Sequence, residues 1–352
     1  MLAESETIHT PAGVTSLTFG SDEVLAVGSA DGTLRAYRLP FTKVAKAIRQ
    51  LPDEISSIVW SSPASTAERK LGEVWVASGT NVYLFDLDKQ KLILTPEDAK
   101  LQVHCGQDDE DVLNELSLSK NKQYLAFSSD SGSVGIVNVS TKEVTRMKIP
   151  HNSICGSVKI IPDRPNEIVS GGYDSTLRHY DFMLRNQLTH LDIAPPPPSS
   201  GVSLSPPFIL SIALSSTGLV VASTADGRIW FGTGGDKASP SHARQKKRSR
   251  KWGGLVEEGA FVQIADGPVV ATALVDDKTL ITCTLLGTLA KHSLSYDDES
   301  GNIESETVWT ADAKSIEKVN GISVSGNRLA VGGITKDGKG VVEIWKAGEK
   351  QN

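Results

Sequence analysis

The residues able to do chemistry are few and scattered. His104-Cys105 is the only adjacent His/Cys pair among seven histidines and three cysteines (Cys105, Cys155, Cys283). A nucleophilic Cys needs a base brought to it in space, and a chain neighbour on a strand or loop points elsewhere. Neither the histidines nor the cysteines show metal-site spacing. The chain has no Gly-x-Ser-x-Gly elbow, no Gly-x4-Gly-Lys-Ser/Thr phosphate loop and no His-Glu-x-x-His. No catalytic residue, metal site or cofactor is therefore expected.

Charge is the other chemistry in the sequence, and it is unevenly placed. Of 36 Lys and Arg, six fall in the run RQKKRSRK at 244–251. Without it the body holds 30 basic against 42 acidic residues. An acidic body repels phosphate backbones and suits basic protein partners, so direct nucleic-acid binding is not expected. Asp108, Asp109, Glu110 and Asp111 form an acidic run just before a strand, either a solvated loop or part of a docking patch for Lys and Arg. Lys246, Lys247, Arg248, Arg250 and Lys251 fit a basic nuclear import signal, a pattern with many false positives.

These residues are positioned by short strands. The stretch 151–185, HNSICGSVKIIPDRPNEIVSGGYDSTLRHYDFMLR, reads as three strands about ten residues apart, separated by a Pro-rich turn and a tight Gly-Ser turn. So small a sheet cannot bury both faces alone, which calls for further copies. Six more units align on the end of the third strand, at Tyr37-Arg38, Phe85-Asp86, Val137-Asn138, Gly232-Thr233, His292-Ser293 and Trp345-Lys346, beside Tyr180-Asp181 of the template. The spacings run from 43 to 60 residues.

A period above forty with a terminal aromatic-Asp pair resembles the WD-repeat β-propeller family. The expected fold is all-β: a single seven-bladed propeller over 1–352, its last blade completed by a strand at residues 4–10. The resemblance implies a buried hydrogen-bond chain from a loop His through a strand Ser and a turn Asp to the Trp position. Here it maps to His151, Ser170, Asp174 and Tyr180, followed by Asp181. Asp31 and Asp226 match the turn Asp of their own units. These residues are expected to be structural. Trp60, Trp75 and Phe85 are read as packing residues rather than a ligand cage.

The resemblance also implies function. Propellers of this family present loops around a ring as non-catalytic interaction scaffolds. Partner contacts are expected beside the turn Asp positions, at Ala30 and Tyr173, and along 108–111. A second role it implies is substrate receptor of a cullin-RING ubiquitin ligase, whose adaptor motif places Arg soon after the Trp-Asp pair. Here Arg185 comes four residues after Asp181. A third, of another class, is an enzyme using the central channel.

The remaining features set limits. No apolar run approaches the roughly 20 residues of a membrane helix. The start MLAESETIHT lacks the charged and apolar regions of a secretory signal. Three distant cysteines suit reduced thiols rather than a disulfide framework. A monomer in the nucleus or cytoplasm is expected. The Pro-rich stretch 194–207 reads as a loop, and 232–254 as a disordered basic insertion.

Overall fold

The computed structural model describes residues 2–21, 23–62, 70–195, 205–233, 252–255, 259–296 and 303–347. Seven antiparallel sheets are arranged in a ring. Blade 1 spans 14–48, blade 2 55–104, blade 3 113–146, blade 4 155–192, blade 5 209–263 and blade 6 269–312. Blade 7 takes three strands from 318–347 and its outer strand from Leu2–Thr10. That strand runs antiparallel to Gly340–Ala347, from Leu2 opposite Ala347 to Thr10 opposite Gly340. The predicted closure is thus present, two residues longer than expected. Blade 1 gains a fifth, parallel strand, Ile93–Leu94. The one helical element among the described residues is a single 3-10 turn, Pro96–Asp98.

Each blade buries both faces, so its second strands read as unbroken apolar runs rather than alternating ones. In blade 1, Val24 and Ala26 face blade 2 while Leu25 and Val27 face blade 7. In blade 3, Leu125 and Phe127 face blade 2 while Ala126 faces blade 4. Seven apolar clusters result, one at each junction around the ring. Trp75 and Phe85 are buried in different clusters on opposite faces of blade 2, which rules out a shared cage.

Polar links join the inner strands. The Thr15 and Ser16 hydroxyls donate to the Ile55 carbonyl, each at 2.7 Å. The amides of Leu116, Ile212 and Thr272 donate to Ser57, Ser157 and Ser211 of the preceding blades. Phe19 N donates to Ser323 at 3.0 Å across the closing junction. These bonds set the stagger between blades that apolar packing alone leaves loose.

The register bears out the seven sequence anchors. Tyr37, Phe85, Val137, Tyr180, Gly232, His292 and Trp345 lie opposite Leu25, Val74, Leu125, Ile168, Val220, Leu280 and Leu329. Every blade therefore uses one register despite unequal loop lengths.

Ile8 on the closing strand is 2% exposed and packs with Tyr37 and Ile344. Ile8→Ala should cost about 2–5 kcal/mol by cavity formation. Removing residues 2–10 should do more, because it bares the edge of Gly340–Ala347 and leaves blade 7 uncovered. Calorimetry should show a much lower midpoint for the truncation, and light scattering should show association.

Candidate functional site

In each blade the connections from outer strand to next inner strand share one rim with the turns between second and third strands. We call this the turn rim. Its backbone repeats. The first turn residue donates its amide to the carbonyl just before the inner strand: Ala30 to Gly13, Asp130 to Val112, Tyr173 to Ile154, Ala225 to Phe208 and Leu285 to Pro268, all at 2.8–2.9 Å. Ala30 and Tyr173, predicted as contact positions, thus occupy equivalent places. Ala30 is exposed, while Tyr173 is half-buried and stacks on Phe208 at 5.5 Å.

In blade 4, His151, Ser170 and Asp174 come together in one hydrogen-bonded set. His151 Nδ1 donates to Asp174 Oδ1 at 2.9 Å, and its Nε2 accepts from the Ser170 hydroxyl at 2.8 Å. A carboxylate can only accept, so it fixes this tautomer. Asn152 N and the Thr176 hydroxyl also donate to Asp174, at 2.9 and 2.8 Å. Burial alone would raise the Asp174 carboxyl, but the His151 bond and the amide outweigh it and hold the group far below its ordinary range. Tyr180 donates to the Ile149 carbonyl at 2.9 Å, and burial drives its phenol well above the usual value. Asp181 closes the strand opposite Glu167. Ser, His and Asp in contact make a nucleophile when the hydroxyl meets a cleft. Here Ser170 is 0% exposed, so the set locks a turn.

The turn aspartates have partners that sequence reading missed. Asp31 meets Arg35 and Asp174 meets Arg178, each at 3.4 Å, while Asp226 meets Arg228 at 2.7 Å. The Asp-x3-Arg spacing in blades 1 and 4 was the available signal. Arg228 also donates to the Ala194 carbonyl at 2.8 Å and lies over the Phe261 ring.

Asp111 departs from the expected docking run. It is 3% exposed and accepts from the amides of Gln107 at 2.8 Å and Ser131 at 2.9 Å. Burial opposes its charge, but these amides prevail and lower its pKa. It ties the blade 3 approach loop to its turn, a charge-reversed counterpart of His151 on Asp174. Asp108, Asp109 and Glu110 remain exposed. Asp53, Glu54 and Asp130 are exposed on the same rim. Burial first, then the charges of Asp53 and Asp130, raise the Glu54 pKa.

Two anchors that do not look like WD positions are explained by packing. Gly232 has no side chain because a Cβ there would sit 2.1 Å from the Gly254 carbonyl and 2.3 Å from the Trp230 ring. The Trp230 ring takes that place, and Trp252 packs in the same cluster between blades 4 and 5, 5% exposed and donating to the Gly218 carbonyl at 3.3 Å. The insertion expected at 232–254 is accordingly shorter. Gly232 and Thr233 finish the strand Arg228–Thr233, and 252–254 return to the core. In blade 6, His292 bonds Thr282 at 3.0 Å and Thr307 at 3.1 Å. Thr282 is the register counterpart of Ser170, so the imidazole does the work of an indole. Burial lowers its pKa to about 4.

The thiols are buried, and burial pushes Cys105, Cys155 and Cys283 up to about 12. His104 faces outward toward Thr80 at 3.3 Å while Cys105 faces the core. Among the described residues no three metal-ligating side chains converge, and no helix is long and apolar enough to cross a membrane. Lys246, Lys247, Arg248, Arg250 and Lys251 lie outside the described residues, as does most of the Pro-rich stretch.

The family description "WD domain, G-beta repeat" matches residues 5–38. The WD repeat-containing protein 53 homolog of Dictyostelium discoideum is 24% identical over 227 residues, which is 59% of this chain and 58% of that protein. The chain thus aligns with less than two thirds of that relative. Among solved structures, the WD40 β-propeller domain of Doa1 is similar at TM-score 0.68 and 14% identity, covering 99% of this chain and 98% of that one. The β-propeller domain of Myceliophteria thermophila Cps50 (Swd1) gives 0.69 and 16%, covering 99% and 100%. At these identities the solved structures establish the fold.

Asp174→Ala should destabilise by about 3 kcal/mol, because it strands His151, Asn152 N and Thr176. The Asp174 carboxyl is depressed in the fold. Its contribution is full above the ordinary carboxylate range and is lost as pH falls through the lowered value. His292 works over a different window. Its native form is neutral, so protons favour the unfolded chain from pH 6.5 down to about 4, at a cost of at most about 3 kcal/mol. Urea melts across that range should show the slope, and His292→Gln should flatten it.

Proposed function

We propose that this chain, a seven-bladed WD-repeat β-propeller, is a non-catalytic scaffold that docks a basic protein segment on its turn rim. The observation that carries the reading is a set of six exposed carboxylates, Asp53, Glu54, Asp108, Asp109, Glu110 and Asp130. None has a cationic partner among the described residues. They come from the approach loops of blades 2 and 3 and from the blade 3 turn, which the backbone bonds hold in place. Like charges gathered this way cost free energy until a cation arrives; after burial, the charges of Asp53 and Asp130 help to raise the Glu54 pKa. Lys and Arg side chains would relieve that repulsion and gain steering. Ala30 in blade 1 and Tyr173 in blade 4 occupy equivalent positions on either side of blades 2 and 3 and would flank the segment.

Burial of Ser170 and of the three thiols favours this reading over an enzyme using those groups. Docking to a cullin-RING adaptor finds no support in blade 4: Arg185 comes late, and its Nε donates to the Arg146 carbonyl at 2.9 Å.

The test is fluorescence anisotropy with a labelled Lys/Arg-rich dodecapeptide. Changing Asp108, Asp109 and Glu110 together to Lys should weaken binding at least tenfold and flatten its salt dependence. Asp163→Lys, on the opposite rim, should leave affinity unchanged. Equal loss from both variants, or from neither, would sink the reading.

A further inference from the structure

A second surface, of opposite character, lies between blades 6 and 7 toward the rim away from the six carboxylates. A cavity of about 360 Å³ opens there. One wall is a row across blade 6: Ile281 pairs with Lys291, and Lys291 pairs with Trp309. The other is the facing hairpin of blade 7, where Val324 lies opposite Leu329. Val275 and Val308 flank it, 42% and 52% exposed, large apolar side chains left in water.

Two cations stand among these apolar groups. Lys291 and Arg328 both line the cavity, and neither has an ion pair among the described residues. Arg328 Nη1 is shut off from solvent and donates to nothing. A buried guanidinium donor without an acceptor is costly, since it loses water and gains no partner. No Asp or Glu lines the cavity beside it. The cleft itself is lined by both cations, so an entering carboxylate would meet two positive charges that no carboxylate of the described residues neutralises.

The shape suits a chain rather than a free ion. The outer strand Ile303–Asp312 is the edge of its sheet and pairs only with Thr288–Tyr296. Its register skips one residue at Val308, because Trp309 pairs with Lys291 and Thr307 with His292. Such a bulge turns a side chain out of the ladder and toward a neighbour. The strand edge offers backbone groups to an extended segment, and the cavity offers one deep apolar seat.

We infer that this cleft binds a linear peptide segment in which a large apolar residue stands next to Asp or Glu. The apolar side chain enters between Trp309 and Leu329, and the carboxylate accepts from Arg328 with Lys291 beside it. This surface is separate from the acidic turn rim and takes a partner of the opposite charge. A scaffold with both could hold two partners at once.

The full-length protein, immobilised, should be used to select from a random dodecapeptide display library. Selected peptides should pair Leu, Phe or Trp with an adjacent acid. Their synthetic forms should quench Trp309 fluorescence, an effect absent in Trp309→Phe. Replacing their acid by Ala should weaken binding at least tenfold, and so should Arg328→Gln. Val308→Glu, at an exposed position that leaves folding intact, should weaken it comparably, while the triple Lys variant at 108–110 should not. Selection of basic peptides only, or affinity that survives both Arg328→Gln and Val308→Glu, would overturn the inference. Failure at the turn rim alone would leave this result untouched.

Discussion

Everything in this molecule depends on the pairing of Leu2–Thr10 with Gly340–Ala347. Each blade buries both faces, so none is stable without a neighbour on each side. A row of such blades always leaves two ends uncovered. Closing the row into a ring removes both ends. The closing junction is sealed by one strand from the start of the chain, by Ile8 packed against blades 7 and 1, and by Phe19 N on Ser323. The longest-range contacts in the sequence thus hold the shortest-range structure together.

Within the closed ring, position matters more than residue identity. The place that a WD repeat gives to Trp is taken by Tyr, Phe, Val, Gly, His and Trp in different blades. What is kept is an occupied volume against the preceding blade; a polar group there finds a partner in blades 4 and 6, while Trp345 Nε1 in blade 7 has none among the described residues. Tyr180 finds the Ile149 carbonyl, and His292 finds Thr282 and Thr307. At Gly232 the backbone gives up the side chain to the Trp230 ring, and Trp252 joins the same cluster from the far end of an insertion. Turn locks vary in the same way: His on Asp in blade 4, Asp on Ser in blade 3, and Arg on Asp in blades 1 and 5. In blades 3, 4 and 5 these bonds tie the approach loop to the turn, whereas in blade 1 Asp31 and Arg35 brace the hairpin itself.

The rigid ring separates charge that is intermixed along the chain. Carboxylates at 53–54, 108–110 and 130 are brought onto one rim by three different connections. Lys291 and Arg328, from different blades, meet in a cleft displaced toward the other rim. An antiparallel meander allows this because alternate connections emerge on opposite rims. Insertions in one class of loop therefore cannot crowd the other.

By itself the sequence determined the fold class, the seven anchors, the strand that closes the ring and the blade 4 lock. These depend on local patterns: short apolar runs, turn residues, and an aromatic near a recurring position. It did not determine which acidic residues face solvent. Asp111 belongs to the same run as Asp108–Glu110, yet its side chain turns inward to two amides from separate segments. Nor could it show that Trp252 packs between blades 4 and 5, because the residue lies beyond a loop of arbitrary length. The Lys291–Arg328 cleft was equally invisible, since nothing local relates the third strand of one blade to the first hairpin of the next. Such features come from contacts between blades. A repeat pattern specifies each blade's own register, whereas side-chain volume, donors and charge at a junction are decided only when two blades are pressed together.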